Sequence, residues 1–123
     1  MSNIRPITIF CDIDGTLVEH AKPCIAAKPG YKMQLLPGTI NKLLEWDKKG
    51  YRIILTTGRK ESLRRQTVKQ LEAAGIIYDM LIMGIGGGNR VLINDLKEDS
   101  TELTAKAFCV KRDKGIKDLE IEK

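Results

Sequence analysis

Residues Ile7 to Leu17, ITIFCDIDGTL, run an apolar strand straight into two aspartates spaced by one residue and then into Gly15 and Thr16. A strand that ends in carboxylates leaves them at the edge of a sheet, where an open α/β fold has its ligand crevice. Alternation along a strand starts Asp12 and Asp14 on the same side if strand geometry persists that far. Two carboxylates so close repel unless a cation or a shared proton intervenes. The segment therefore asks for a metal, an acid/base role, or both. One Asp and one Gly would suit an ordinary polar turn. The full string DxDGT plus an apolar residue is another matter, with a chance occurrence of roughly one in ten thousand in a chain this short.

The 123 residues suffice for one domain with a real core and leave no room for a second folded unit beside an α/β sheet. With 42% hydrophobic and 30% charged residues, the composition is that of a soluble globular chain. No apolar run reaches membrane-span length and no signal-peptide core opens the chain, so cytoplasmic residence is expected. Cys11, Cys24 and Cys109 are odd in number and lack CxxC spacing, which suggests neither a disulfide framework nor a zinc site. His20 is the sole histidine, so oxygen ligands and a hard cation are what the chain can offer.

Turn residues and periodicity divide the rest into alternating strands and helices. Val18–Leu36, broken by Pro23, Pro29 and Gly30, reads as an irregular loop or short hairpin. Helices are expected over Thr39–Lys49, with Thr39 as N-cap, and over Glu61–Ala74, with Gly75 as C-cap. Strands are expected at Tyr51–Thr56, Met80–Met83, Val91–Asn94 and Ala107–Val110, with a helical turn at Ser100–Lys106. The alternation predicts an α/β fold, a Rossmann-like three-layer sandwich with a mostly parallel sheet. Residues 111–123 are charged and are expected to form a mobile tail on this single domain.

DIDGTL resembles the first motif of the haloacid dehalogenase-like (HAD) superfamily of phosphohydrolases and phosphotransferases. The resemblance implies Asp12 as a nucleophile that becomes an aspartyl phosphate, Asp14 as general acid and base, and Mg²⁺ held with an acidic residue late in the chain. Ile53–Arg59 is similar to the second motif, with Thr57 donating to a phosphoryl oxygen and Gly58 and Arg59 at the phosphate or substrate. Val91–Asp95 is similar to the fourth, which makes Asp95 a metal ligand beside Asp12 and Asp14, and Asp99 a partner behind them. The third motif departs from the pattern: Ile85 stands near the place of the usual lysine, and Arg90 is the nearest cation. Both positions where relatives insert a cap domain carry only loops here, so the chain resembles the capless class, whose open site a homo-oligomer would cover.

The expected activity is Mg²⁺-dependent hydrolysis of a phosphomonoester, with a small phosphorylated metabolite such as a sugar phosphate as substrate and no membrane partner. The net charge of +5 keeps a polynucleotide-end or nucleotide phosphatase as an alternative. Basic residues without interleaved aromatics argue for a solvated surface over a nucleic-acid groove. A non-catalytic phosphate-binding or regulatory module is the other alternative. Receiver domains have a similar size and acidic pair, but their phosphorylated Asp ends the third strand, and Met80–Met83 ends without one.

Overall fold

The computed structural model describes residues 5–122, and Lys123 of the expected tail lies outside them. Three parallel strands form the sheet in the order β1 (Thr8–Asp12), β2 (Arg52–Thr56), β3 (Met80–Ile82). Between them run α1 (Pro23–Ala26), α2 (Thr39–Lys48), a 3-10 turn (Glu61–Leu63) and α3 (Arg64–Ala74). The expected α/β class and parallel sheet are what the chain adopts.

The sheet is parallel because each strand pair is separated by a helical crossover long enough to return the chain to the same end. Both crossovers step in the same direction, and two crossovers of one hand place their helices on one face, as the shared core of α2 and α3 shows. Alternation chooses the residues that meet them: Cys11, Ile53, Leu55 and Leu81 are buried with Leu43, Trp46, Leu71 and Ile76 in one core. Each such side chain contributes about 1.5–3 kcal/mol through burial. On the opposite face Phe10 and Met80 are about half exposed.

Local chemistry sets the element ends. Gly38, in the left-handed region at φ 88°, precedes α2 as its cap. Thr39, expected in that place, is instead the first helical residue, and its buried hydroxyl donates to the Leu17 carbonyl at 2.6 Å. Gly75 ends α3 at φ 76°, as its position in the sequence predicts. Asp79 pins the start of β3 to β2, accepting the Ile53 N–H at 2.7 Å and donating its own to the Ile53 carbonyl at 2.8 Å.

Four expectations are corrected. Val91–Asn94 and Ala107–Val110 form no strand, and Ser100–Lys106 forms no helix. Val91 and Ile93 are 83% and 88% exposed, so this β-prone run finds no neighbour to pair with, and strand preference is realised only in such pairing. The basic tail is docked. Ile116 is buried in the core and donates to the Pro37 carbonyl at 3.0 Å, while Asp113 donates to the Gly15 carbonyl at 2.9 Å and accepts from His20 N–H at 2.7 Å.

Candidate functional site

Parallel pairing aligns the carboxyl ends of the strands, with Asp12 in register with Thr56 at the end of β2. The chain then turns tightly: Thr16, Leu17 and Val18 all donate backbone N–H groups to the Ile13 carbonyl. Ile13 is fully buried beneath the turn and fixes it. Gly15 adopts φ +91°, and a Cβ there would press on the Arg112 side chain at 3.3 Å. The glycine after the second aspartate is thus a geometric requirement of the turn.

Asp12 stays open to solvent at the strand end, and the Thr16 hydroxyl donates to its Oδ2 at 3.1 Å. Partial desolvation raises its carboxyl above the ordinary range, and the Asp14 charge adds to this. The Thr16 hydrogen bond, the Ile13 N–H and the positive charge of Arg90 act in the opposite direction. Arg90 folds over the glycine-rich loop, donating to the Gly88 carbonyl and, at 2.9 Å, to that of Gly86. Its effect on Asp12 is the smallest of these influences, and the structure shows Arg90 bonded to the loop backbone and not to either aspartate.

The second-motif turn is held by that same loop. Thr57 is buried; its N–H donates to the Ile82 carbonyl at 3.0 Å and its hydroxyl oxygen accepts from Arg59 N–H at 3.1 Å. The hydroxyl proton is left for another acceptor. A Cβ on Gly58 would stand 2.6 Å from the Gly86 carbonyl oxygen, so glycine at 58 is what lets the two turns touch.

Arg59 has a different partner from the one expected. Its fork grips Asp14, Nε to Oδ2 at 3.0 Å and Nη2 to Oδ1 at 2.8 Å, and its Nη1 donates to Thr67 and Gln70 at 3.2 and 2.7 Å. These bonds use most of the five donors a guanidinium has, and the side chain is only 9% exposed. The fork orients Asp14 and is not free for phosphate. Thr67 and Gln70 were not visible as site residues, because polar side chains within a helix read as surface. Tyr31 is a further neighbour: burial raises its hydroxyl, and the Asp14 charge adds to the shift.

Asp95 and Asp99 lie exposed in the unpaired segment, Asp99 at φ 59°. Among the described residues no group of three or more His, Cys, Asp or Glu could hold a metal ion. The oxygens at Asp12 and the main-chain carbonyl of Asp14 are the hard donors that a Mg²⁺-class ion takes. They suit such an ion in kind, and the structure does not bring Asp95 to them. No helix among the described residues is long and apolar enough to cross a membrane.

Fold and strand ends together define an open α/β protein with a carboxylate-centred site. Residues 9–107, well over half of the chain, match the family model for haloacid dehalogenase-like hydrolase, and the chain belongs to that family. The resemblance carried by DIDGTL is thereby confirmed at the level of the family.

Among solved structures, a protein from Vibrio cholerae is similar at TM-score 0.53 and 18% identity, over 72% of this chain and 79% of that one. A chain of the Pnkp1/Rnl/Hen1 complex is similar at TM-score 0.52 and 25% identity, over 74% of this chain and 32% of that one. D,D-heptose 1.7-bisphosphate phosphatase from B. bronchiseptica, complexed with magnesium and phosphate, reaches TM-score 0.44 and 14% identity, over 66% and 51%. The chain thus spans about a third of the second and half of the third. No curated protein matches the sequence.

Proposed function

We propose that this hydrolase is a phosphatase that cleaves phosphomonoesters of small metabolites, sugar phosphates among them, through an aspartyl phosphate on Asp12. The observation that supports it is the solvent-open Asp12 at a strand end, two residues from an Asp14 fixed by Arg59. An Asp12 oxygen attacks phosphorus in line, and the bond to the ester oxygen breaks. Asp14, which takes up a proton from solvent before this step while Arg59 keeps it oriented, gives that proton to the leaving alkoxide. Asp14, now a carboxylate, removes a proton from the water that attacks the same phosphorus, which frees inorganic phosphate and restores both aspartates. The Thr57 hydroxyl, the backbone beside Gly58 and the charge of Arg90 face the phosphoryl oxygens in this reading. A Mg²⁺ ion would be held by Asp12, the Asp14 carbonyl and Asp95, with Asp99 behind them, and would supply neutralising charge.

Phosphate release from a panel of sugar phosphates and nucleotides, with and without Mg²⁺, tests the reading. Turnover that needs Mg²⁺ and falls at least about 1000-fold in Asp12→Asn, a loss of about 4 kcal/mol of transition-state stabilisation, is expected. Normal turnover in that variant sinks the assignment of Asp12. No release across the panel favours the non-catalytic module.

A second reading, action on a polynucleotide end, draws on the lysines 111, 114 and 117 that line a groove of about 580 Å³ beside Pro37 and Leu119. Release from a 3′-phosphorylated oligonucleotide with steep loss in salt would support it.

A further inference from the structure

Gln70 sits on the inner face of α3 with 7% of its surface exposed, a position where a leucine would pack more simply. Both ends of its amide are engaged. Oε1 accepts from Arg59 Nη1 at 2.7 Å, and Nε2 donates to the Ala26 carbonyl of α1 at 2.9 Å. A guanidinium only donates and a carbonyl only accepts, so the amide has a single workable orientation. Thr67, fully buried one turn earlier, gives the same guanidinium nitrogen its second acceptor. The far side of that guanidinium holds both oxygens of Asp14.

A long arginine side chain has many rotamers, and two acceptors behind it select one. Without them the fork would still be drawn to Asp14, but the pair could shift together. An ångström of misplacement in a reacting group can cost about 100-fold in rate. Gln66 marks out what Gln70 does in addition. Its amide also donates to the Ala26 carbonyl, and to that of Lys28, each at 3.2 Å, yet it makes no bond to Arg59. Gln66 holds the segment around α1, whereas Gln70 holds that segment and the guanidinium at once.

We propose that Gln70 is a positioning residue for Asp14: it fixes the Arg59 fork that carries the Asp14 carboxylate and ties its placement to the docking of α1. This rests on the reading of Asp14 as the group that moves protons during phosphoester hydrolysis.

The test uses the full chain with Gln70→Leu, Gln70→Met, Gln70→Glu and Gln66→Leu. One readout needs no activity: hydrogen exchange of the Arg59 Nε–H followed by NMR. The other is kcat and KM for p-nitrophenyl phosphate. In the parent protein the Nε–H is expected to be protected. Because the Nε–H keeps Asp14 as its acceptor while the pair shifts, Gln70→Leu is expected to weaken that protection without abolishing it, and to lower kcat by 10- to 100-fold with KM changed less than about twofold. Gln70→Met takes its place if the leucine variant does not fold. Gln70→Glu keeps the acceptor for Arg59 but cannot donate to the Ala26 carbonyl, so it is expected to keep the protection and only part of kcat, and Gln66→Leu to leave both near the parent values.

Equal protection of the Arg59 Nε–H in the parent and in Gln70→Leu or Gln70→Met overturns the proposal. So does an unchanged kcat in those variants of an active parent. A parent with no turnover at all overturns the phosphatase reading, and the exchange measurement then decides the positioning by itself.

Discussion

Cys11 shares β1 with Asp12 but points to the other face, where it is buried in the core. Burial first, and the Asp12 charge second, push its thiol from 9.0 up to about 12. The unfolded chain ionises this thiol at lower pH than the folded one, so the stability it lends is complete below pH 9 and is lost as pH rises toward 12. Iodoacetamide at pH 8.5 is therefore expected to label the exposed Cys24 and Cys109 and to spare Cys11 until denaturant is added. Intact mass shows this directly, and a third adduct on the native protein would contradict it. Asp12 is likewise raised by desolvation, but hydrogen bonds oppose the shift. The Thr16 hydroxyl is one of the influences that hold its carboxyl down, so Thr16→Val is expected to raise it further. Because attack requires the ionised form, the acid limb of kcat/KM should move to higher pH in that variant. An acid limb at or below its parent position would show that the hydroxyl does not act on Asp12.

At the scale of elements, the chain announced β1, α2, β2, α3 and β3 to within a few residues, because each has a buried face and a glycine or proline boundary. Where a segment's structure depends on a distant partner, the sequence is silent. Val91–Asn94 has the composition of a strand and pairs with nothing, and residues 111–116 have the composition of a solvated tail and are docked through buried Ile116 and the hydrogen bonds of Asp113. Asp12, Asp14 and Thr57 stand out as candidates because they lie at strand ends in recognisable strings. Gln70 does not, since its role exists only once α3 lies against Arg59 and α1. The docking of the tail makes a sharp prediction. Gly115 sits at φ +83°, and a Cβ there would run into the Pro37 carbonyl, whereas Gly50 at φ +81° has open space around it. Gly115→Ala should cost about 2 kcal/mol or more in urea unfolding, and Gly50→Ala about 1 kcal/mol from backbone strain alone. Equal losses would mean that close packing against Pro37 adds nothing.

The whole molecule leaves one electrostatic question at its centre. Asp14 is neutralised by Arg59, while among the described influences Asp12 has a hydroxyl, an amide and the charge of Arg90 to offset its partial desolvation. A divalent cation would satisfy Asp12, and Asp95 is the acidic side chain proposed to complete its shell. Val91 and Ile93, almost fully exposed, precede Asp95 by four and two residues, and the outer edge of β1 has no strand beside it among the described residues. Burying two such side chains contributes about 3–6 kcal/mol. Fixing five residues of backbone costs about 5–10 kcal/mol. The two are close enough for ion binding to tip the balance, since a ligand at 100 times its dissociation constant adds about 2.7 kcal/mol. Hydrogen exchange of residues 91–95 is therefore expected to slow at least about tenfold when Mg²⁺ is added, with β1 amides slowing alongside. Asp95→Ala should abolish the effect and Asp99→Ala should weaken it. Exchange in 91–95 that ignores saturating Mg²⁺ in the parent chain would remove Asp95 from the ligand set and leave Asp12 to act with a different cation source, of which Arg90 is the nearest.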